Sequence, residues 1–120
     1  MTVAGIAMMK DEVDIARASI VNMAHNVDFL IVADNGSTDG TRELLEELSQ
    51  GYPITLLDDP ERGYYQSAKM SALASMAGEM GADWVVPFDA DEVFYNRFGD
   101  TLRGLLESVK PQWLTVAADL

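Results

Sequence analysis

Carboxylates carry most of the reactive potential of this chain: Asp11 and Glu12, Asp34, Asp58 and Asp59, and the run Asp89-Ala90-Asp91-Glu92. Each group directly follows a short apolar stretch. Carboxylates crowded together repel and raise one another's pKa unless a counter-charge is present, and a hard divalent cation supplies one. An all-oxygen donor set favours Mg2+, Mn2+ or Ca2+ over softer metals. The run ending in Asp91 and Glu92 is the densest and is the natural metal candidate.

A second stretch, Asp34-Asn35-Gly36-Ser37-Thr38-Asp39-Gly40, combines turn and helix-capping residue types. Gly36 and Gly40 allow backbone shapes closed to other residues, and Ser37, Thr38 or Asp39 can cap a following helix. Capping alone would account for the loop. Lys69 is the one basic residue expected on the third helix, and its plain reading is a solvated surface lysine.

The elements that must hold these residues are legible as alternating patterns. Val3 to Met9 is a continuous apolar run, which reads as a strand buried on both faces. Val13, Ala16, Ile20, Met23 and Ala24 then recur at helical spacing, so a helix is predicted over 11–25. Phe29 to Ala33 gives a second strand. Thr41 to Gln50, with Leu44, Leu45 and Leu48 on one side and Gly51 beyond, gives a second helix. Pro53 to Leu57 is a third strand, and Asp58 to Gly63 a polar loop. Tyr65, Ala68, Ala72, Met76 and Met80 predict a third helix stopped by Gly81, and Trp84 to Phe88 is a fourth strand. Leu102, Leu105, Leu106 and Val109 predict a last helix before Pro111, and Trp113 to Ala117 a fifth strand.

Strand and helix in alternation predict an α/β fold: a mostly parallel open sheet, built from right-handed crossovers, with helices on both faces. In such a sheet the carboxyl ends of the strands share one edge. Ligands of open α/β sheets bind there, in the crevice where successive connections diverge. Every acidic group named above falls on that edge.

At 120 residues and 48% apolar content the sequence is read as one domain, residues 1–120. Twenty acidic residues against eight basic ones, a formal charge of −12, disfavour nucleic acid and anionic membranes as partners. A phosphate-bearing ligand would need a cation beside it. The absence of cysteine excludes disulfides and zinc–thiolate sites. Val3 to Met9 is too short to span a membrane and lacks a preceding basic segment, so the expectation is a cytoplasmic protein with no membrane segment.

The motif Asp34-Asn35-Gly36-Ser37-Thr38-Asp39-Gly40-Thr41 after an apolar strand resembles the first signature of family 2 glycosyltransferases. Trp84-Val85-Val86-Pro87-Phe88-Asp89-Ala90-Asp91-Glu92 resembles the second, a strand ending in a DxD-type run, and the interval between the two is similar to the family's. The opening Met8-Met9-Lys10-Asp11-Glu12 also looks like a family start, with Asp11 where Asn is usual. The resemblance implies a Rossmann-like GT-A nucleotide-binding half. It implies a nucleoside-diphosphate sugar donor, UDP- or GDP-linked, and Mn2+ or Mg2+ as cofactor. By matched position, Asp34 would contact the base, Asp89 the ribose or the metal, and Asp91 the metal bridging the donor phosphates. Glu12 and Lys69 would lie on the donor side, with Gly63 near the latter. The family's catalytic base lies well downstream of the DxD-type run, and 28 residues follow Glu92 here. The base and the acceptor-binding half are therefore expected beyond Leu120, and the acceptor is unknown.

Three other readings compete. A receiver-type phosphoacceptor domain would use Asp11, Glu12, Asp58 and Lys110-Pro111, but leaves the Asp34 to Thr41 loop unexplained. A haloacid-dehalogenase-type phosphatase would use Asp89 and Asp91, but places that motif on its first strand. A non-catalytic nucleotide-binding module keeps the donor site and transfers nothing. The methionines, Trp84 and Trp113 read as packing residues, and Tyr64 as the better candidate for stacking on a sugar.

Overall fold

Residues 1–61, 65–92 and 102–107 are described by the computed structural model. The apolar runs form strands and the periodic segments form helices: β1 Val3–Met9, α1 Ala16–Ala24, β2 Phe29–Asp34, α2 Thr41–Ser49, β3 Ile54–Asp58, α3 Gln66–Glu79, β4 Trp84–Pro87 and α4 Leu102–Glu107. The four strands pair in the order β3-β2-β1-β4, and every pairing is parallel. The expected strand over 113–117 and the helix beyond residue 107 lie outside the described residues, as do Gly63 and Tyr64.

Side chains alternate across each strand, so one sheet serves two cores. Val3, Ala7, Met9, Leu30 and Val32 face α1 and α2, where they meet Ala16, Ile20, Met23, Leu45 and Leu48. Ala4, Ile6, Ile31 and Ala33 face α3, where they meet Leu73 and Ala77. The central strands are thus covered on both faces, which is why their sequences are unbroken apolar runs. Ile20, Leu30, Ile31 and Leu45 are completely buried, each stabilising the fold by roughly 1.5–3 kcal/mol. Gly5 is fixed by close approach. A Cβ there would lie 2.6 Å from Leu30 Cδ2, 3.0 Å from Met23 Cγ and 3.3 Å from Phe88 Cε1.

Sheet order separates two of the readings above. A receiver-type sheet sets its third strand against the first. Here β3 extends the sheet beyond β2, and the chain then returns to add β4 on the far side of β1. This is the arrangement of half a doubly wound nucleotide-binding sheet, with its switch point between β1 and β4.

Two expectations need correction. The first helix starts at Ala16 rather than Asp11, because the preceding amides are claimed by side chains of another loop. Asp11 N–H donates to Ser37 Oγ, Glu12 N–H to Thr41 Oγ1 and Val13 N–H to Asp39 Oδ2. Asp11 itself has φ 53°, a conformation that Asp and Asn tolerate better than other side chains. The third helix forms as expected but buries another face. Tyr65, Ala68, Ala72 and Met80 are exposed, and the sheet receives Leu73 and Ala77 flanked by Met70, Ala74 and Met76. Methionine spacing alone did not identify that face.

Candidate functional site

Register brings the acidic groups to one edge. Met9, Asp34 and Asp58 are level across β1, β2 and β3. On the other side Ile6 pairs with Pro87, and Phe88 N–H donates to Ile6 O, so Asp89 to Glu92 emerge beside the end of β1. The divergence between β1 and β4 opens a hollow of about 420 Å3 lined by Met8, Met9, Lys10, Glu12, Ile15, Asn35, Gln66, Asp89, Ala90 and Asp91. A neighbouring hollow of about 500 Å3 is lined by Lys10, Asp11, Asn35, Gly36, Thr38, Pro60 and Glu61. Lys10 and Asn35 belong to both, so the two read as one trough along the strand ends.

The acidic run forms a tight group. One carboxylate oxygen each from Asp89, Asp91 and Glu92 lies within 4.8 Å of the others. The Asp89 backbone amide bonds to the Glu92 carboxylate, but this lowers its pKa less than the neighbouring carboxylates raise it. Glu92 responds as a crowded acid should. Its pKa is raised, first by the hydrogen bond it shares with Asp89, then by burial and repulsion from Asp89 and Asp91. An oxygen-only donor set with surplus negative charge suits a hard divalent cation, so these residues fit the ion the sequence led us to expect.

The loop after β2 is constructed differently, because its carboxylates have donors. Asp34, only 5% exposed, accepts a hydrogen bond from Ser37 Oγ through Oδ1. Asp39 Oδ1 accepts from both N–H and Oγ1 of Thr41, and its pKa is lowered chiefly by the Thr41 hydroxyl. Asp11 Oδ1 accepts from Thr38 N–H at 2.8 Å. Gly40, the N-cap of α2, has φ 102°, and Gly36 has φ 74°, so both loop glycines occupy the left-handed region that glycine enters without strain. The cap position is Gly40, with no side-chain cap bond, and Asp39 just before it accepts from Thr41 N–H instead.

Of the donor-side residues named from the sequence, Glu12, Asp89 and Asp91 are brought together around the first hollow. Asp34 is not among the residues lining either hollow, although Asn35 and Gly36 are. Lys69 is not the solvated lysine of the plain reading. Its Nζ lies 2.6 Å from Asp59 Oδ2, and the two side chains are 13% and 18% exposed. Asp58 is exposed and pairs with Arg42 on α2. Trp84 packs against the α1/α2 core, as expected of an anchor. Lys10, Asn35 and Gln66 were not singled out from the sequence. Lys10 could have been, as the only cation directly beyond β1 at the switch point. Asn35 and Gln66 carry no comparable signal. Among the described residues no helix is long and apolar enough to cross a membrane.

Fold and site together define a parallel α/β domain with hollows at its switch point and a cluster of three carboxylates on one bank. The sequence profile of glycosyl transferase family 2 matches residues 10–98, and the chain belongs to that family. It is 34% identical over 74 residues to the succinoglycan biosynthesis protein ExoA of Rhizobium meliloti (strain 1021), covering 61% of this chain and 22% of that protein. It is 36% identical over 78 residues to the lipopolysaccharide core biosynthesis glycosyltransferase LpsC of the same organism, covering 64% of this chain and 26% of that protein. The chain therefore matches about a quarter of the length of these relatives. Among solved structures, S. aureus TarS superposes with a TM-score of 0.60 at 16% identity, over 76% of this chain and 17% of TarS. A TarS fragment, residues 1–349, gives 0.58 at 19% identity, over 78% and 28% of the two chains. These likenesses show the shared fold.

Proposed function

We propose that this chain carries the donor site of a glycosyltransferase that uses a UDP- or GDP-linked sugar with Mn2+ or Mg2+. The observation that carries the reading is the clustering of Asp89, Asp91 and Glu92 within 4.8 Å, with Asp89 and Asp91 lining the switch-point hollow beside Glu12 and Lys10.

Asp89 and Asp91 are the proposed metal ligands, with Glu92 close enough to join them. A bound divalent ion offsets the charge of the donor diphosphate and of the leaving nucleoside diphosphate. Lys10 lines both hollows and supplies the cation that a phosphate ligand needs in so acidic a chain. Asp34 is the proposed acceptor for a base N–H. Ser37 occupies its Oδ1, so Oδ2 is the oxygen available for that bond. The acceptor and the catalytic base belong, in this proposal, to residues beyond Leu120. The short span of the matches to the relatives supports that division.

Isothermal titration of UDP and GDP into the chain tests the reading. One of them should bind more tightly with Mn2+ than with chelator, and equal affinity under both conditions would sink the metal site. The chain by itself is expected to bind donor without transferring sugar. Glycoside formation from a nucleotide sugar by residues 1–120 alone would refute the assignment of base and acceptor site.

A further inference from the structure

Lys69 and Asn35 reach the same two acceptors. Lys69 Nζ contacts Asp59 Oδ2 at 2.6 Å and donates to Glu61 O at 2.9 Å. Asn35 Nδ2 donates to Asp59 Oδ2 at 2.7 Å, Glu61 O at 2.9 Å and Asp59 O at 3.3 Å. Asp59 Oδ1 meanwhile accepts from Glu61 N–H, and Asp59 N–H donates to Asp34 O. The Asp59 carboxylate is therefore the hub of a clamp that ties α3, the end of β2 and the loop after β3 together.

Two consequences follow from the donor chemistry. Every group around Asn35 Nδ2 is an acceptor, so the amide can face them only with its nitrogen. Its oxygen is turned away from the clamp and is the part of Asn35 left for a ligand in the hollows it lines. Lys69 spends its charge on Asp59, whose pKa it lowers, whereas Lys10 is the lysine that lines both hollows.

We infer that Lys69 is a positioning residue: acting through Asp59, it holds the Pro60–Glu61 wall and the Asn35 amide against the nucleoside portion of the donor. This rests on the donor-site reading above and assigns Lys69 a place in it. Removing the ammonium leaves the Asp59 carboxylate held by Asn35 Nδ2 and Glu61 N–H, with Asn35 its one remaining side-chain donor among the described residues.

The test compares Lys69→Met, Asp59→Asn and the double variant of the full chain, titrated by NMR with uridine, UDP, guanosine and GDP in the presence of Mn2+. For whichever base binds, each single variant should lose about tenfold in affinity, the usual scale for a charge-assisted hydrogen bond. The loss should be equal for nucleoside and diphosphate, and the double variant should be no worse than either single one. A loss confined to the diphosphate in Lys69→Met, with Asp59→Asn unchanged, would mean that Lys69 contacts phosphate directly and would overturn the inference. Hydrogen exchange gives a ligand-free readout. The amides of Asp59 and Glu61 should exchange faster in both single variants while those of α2 do not, and unchanged exchange at 59 and 61 overturns the clamp. Should the wild-type chain bind no nucleoside or nucleotide, the donor-site reading and the ligand role of Lys69 fail together, and the exchange rates still decide whether the clamp exists.

Discussion

The loop after β2 and the run after β4 both carry carboxylates at the sheet edge, yet they occupy opposite electrostatic states. Asp34, Asp39 and Asp11 accept hydrogen bonds from Ser37, Thr41 and Thr38, and Asp59 is held by Lys69 and Asn35. Asp89, Asp91 and Glu92 face one another within 4.8 Å. The pKa values of Asp39 and Asp59 are lowered and that of Glu92 is raised. Acidic residues with donors hold a loop in shape, and acidic residues crowded against one another are the ones suited to a cationic partner. Composition treats the two regions alike, and hydrogen bonding separates them.

Variants that exchange the two behaviours should break the contrast. The largest effect is expected from Asp91→Ala, which removes a proposed metal ligand. Metal-dependent nucleotide affinity should fall by on the order of 100-fold or more, beyond the usual cost of disturbing a ligand's supporting partners, while circular dichroism remains unchanged. Retained Mn2+ binding in that variant would move the site elsewhere. A control on the scaffold is Gly5→Ala, whose Cβ would meet Leu30, Met23 and Phe88. Overpacking of that kind costs about 1–3 kcal/mol, visible as a lower Tm, and an unchanged Tm would show that α1 can shift away.

Within the hydrogen-bonded loop, Thr41→Val removes the acceptor of the Glu12 N–H and the donor to Asp39. A loss of about 1–3 kcal/mol is expected from leaving such groups unpaired, measured by denaturant unfolding. Full retention of stability would mean that water replaces the hydroxyl.

The smallest expected effects have opposite signs in the two regions. Asp59 has a lowered pKa, so its contribution is complete above the ordinary value of 3.8 and is lost as pH falls through the folded value beneath it. Glu92 has a raised pKa, so in chelator its contribution is complete below 4.5 and is lost as pH rises through the folded value above it. Added Mn2+ should cancel the second effect by favouring the charged form, and Glu92→Gln should remove it. Thermal melts from pH 3 to 7, with and without Mn2+, read both effects. A Glu92→Gln melt profile that matches the wild type in chelator would show that the crowding has no energetic consequence.

Much of the framework was legible in the residues alone. Continuous apolar runs at Val3–Met9 and Phe29–Ala33 mean strands covered on both faces, and strict alternation with helical segments means parallel pairing. The two acidic signatures could be located because both end strands, and strand ends meet at one edge. The start of α1 could not be read, because its amides bond to Ser37, Asp39 and Thr41, far away in sequence. The buried face of α3 was also hidden, since its alanines, serines and methionines give no strong contrast between faces.

Sequence by itself determined which residues could do chemistry and that they would lie on one sheet edge, because periodicity and strand direction are local properties of the chain. Tertiary structure alone decided which of those carboxylates are neutralised. Lys69 reaches Asp59 from α3 and Ser37 turns back on Asp34, whereas Asp89, Asp91 and Glu92 crowd one another within 4.8 Å. That distinction depends on partners brought together by folding, and the electrostatic character of a carboxylate is set by those partners.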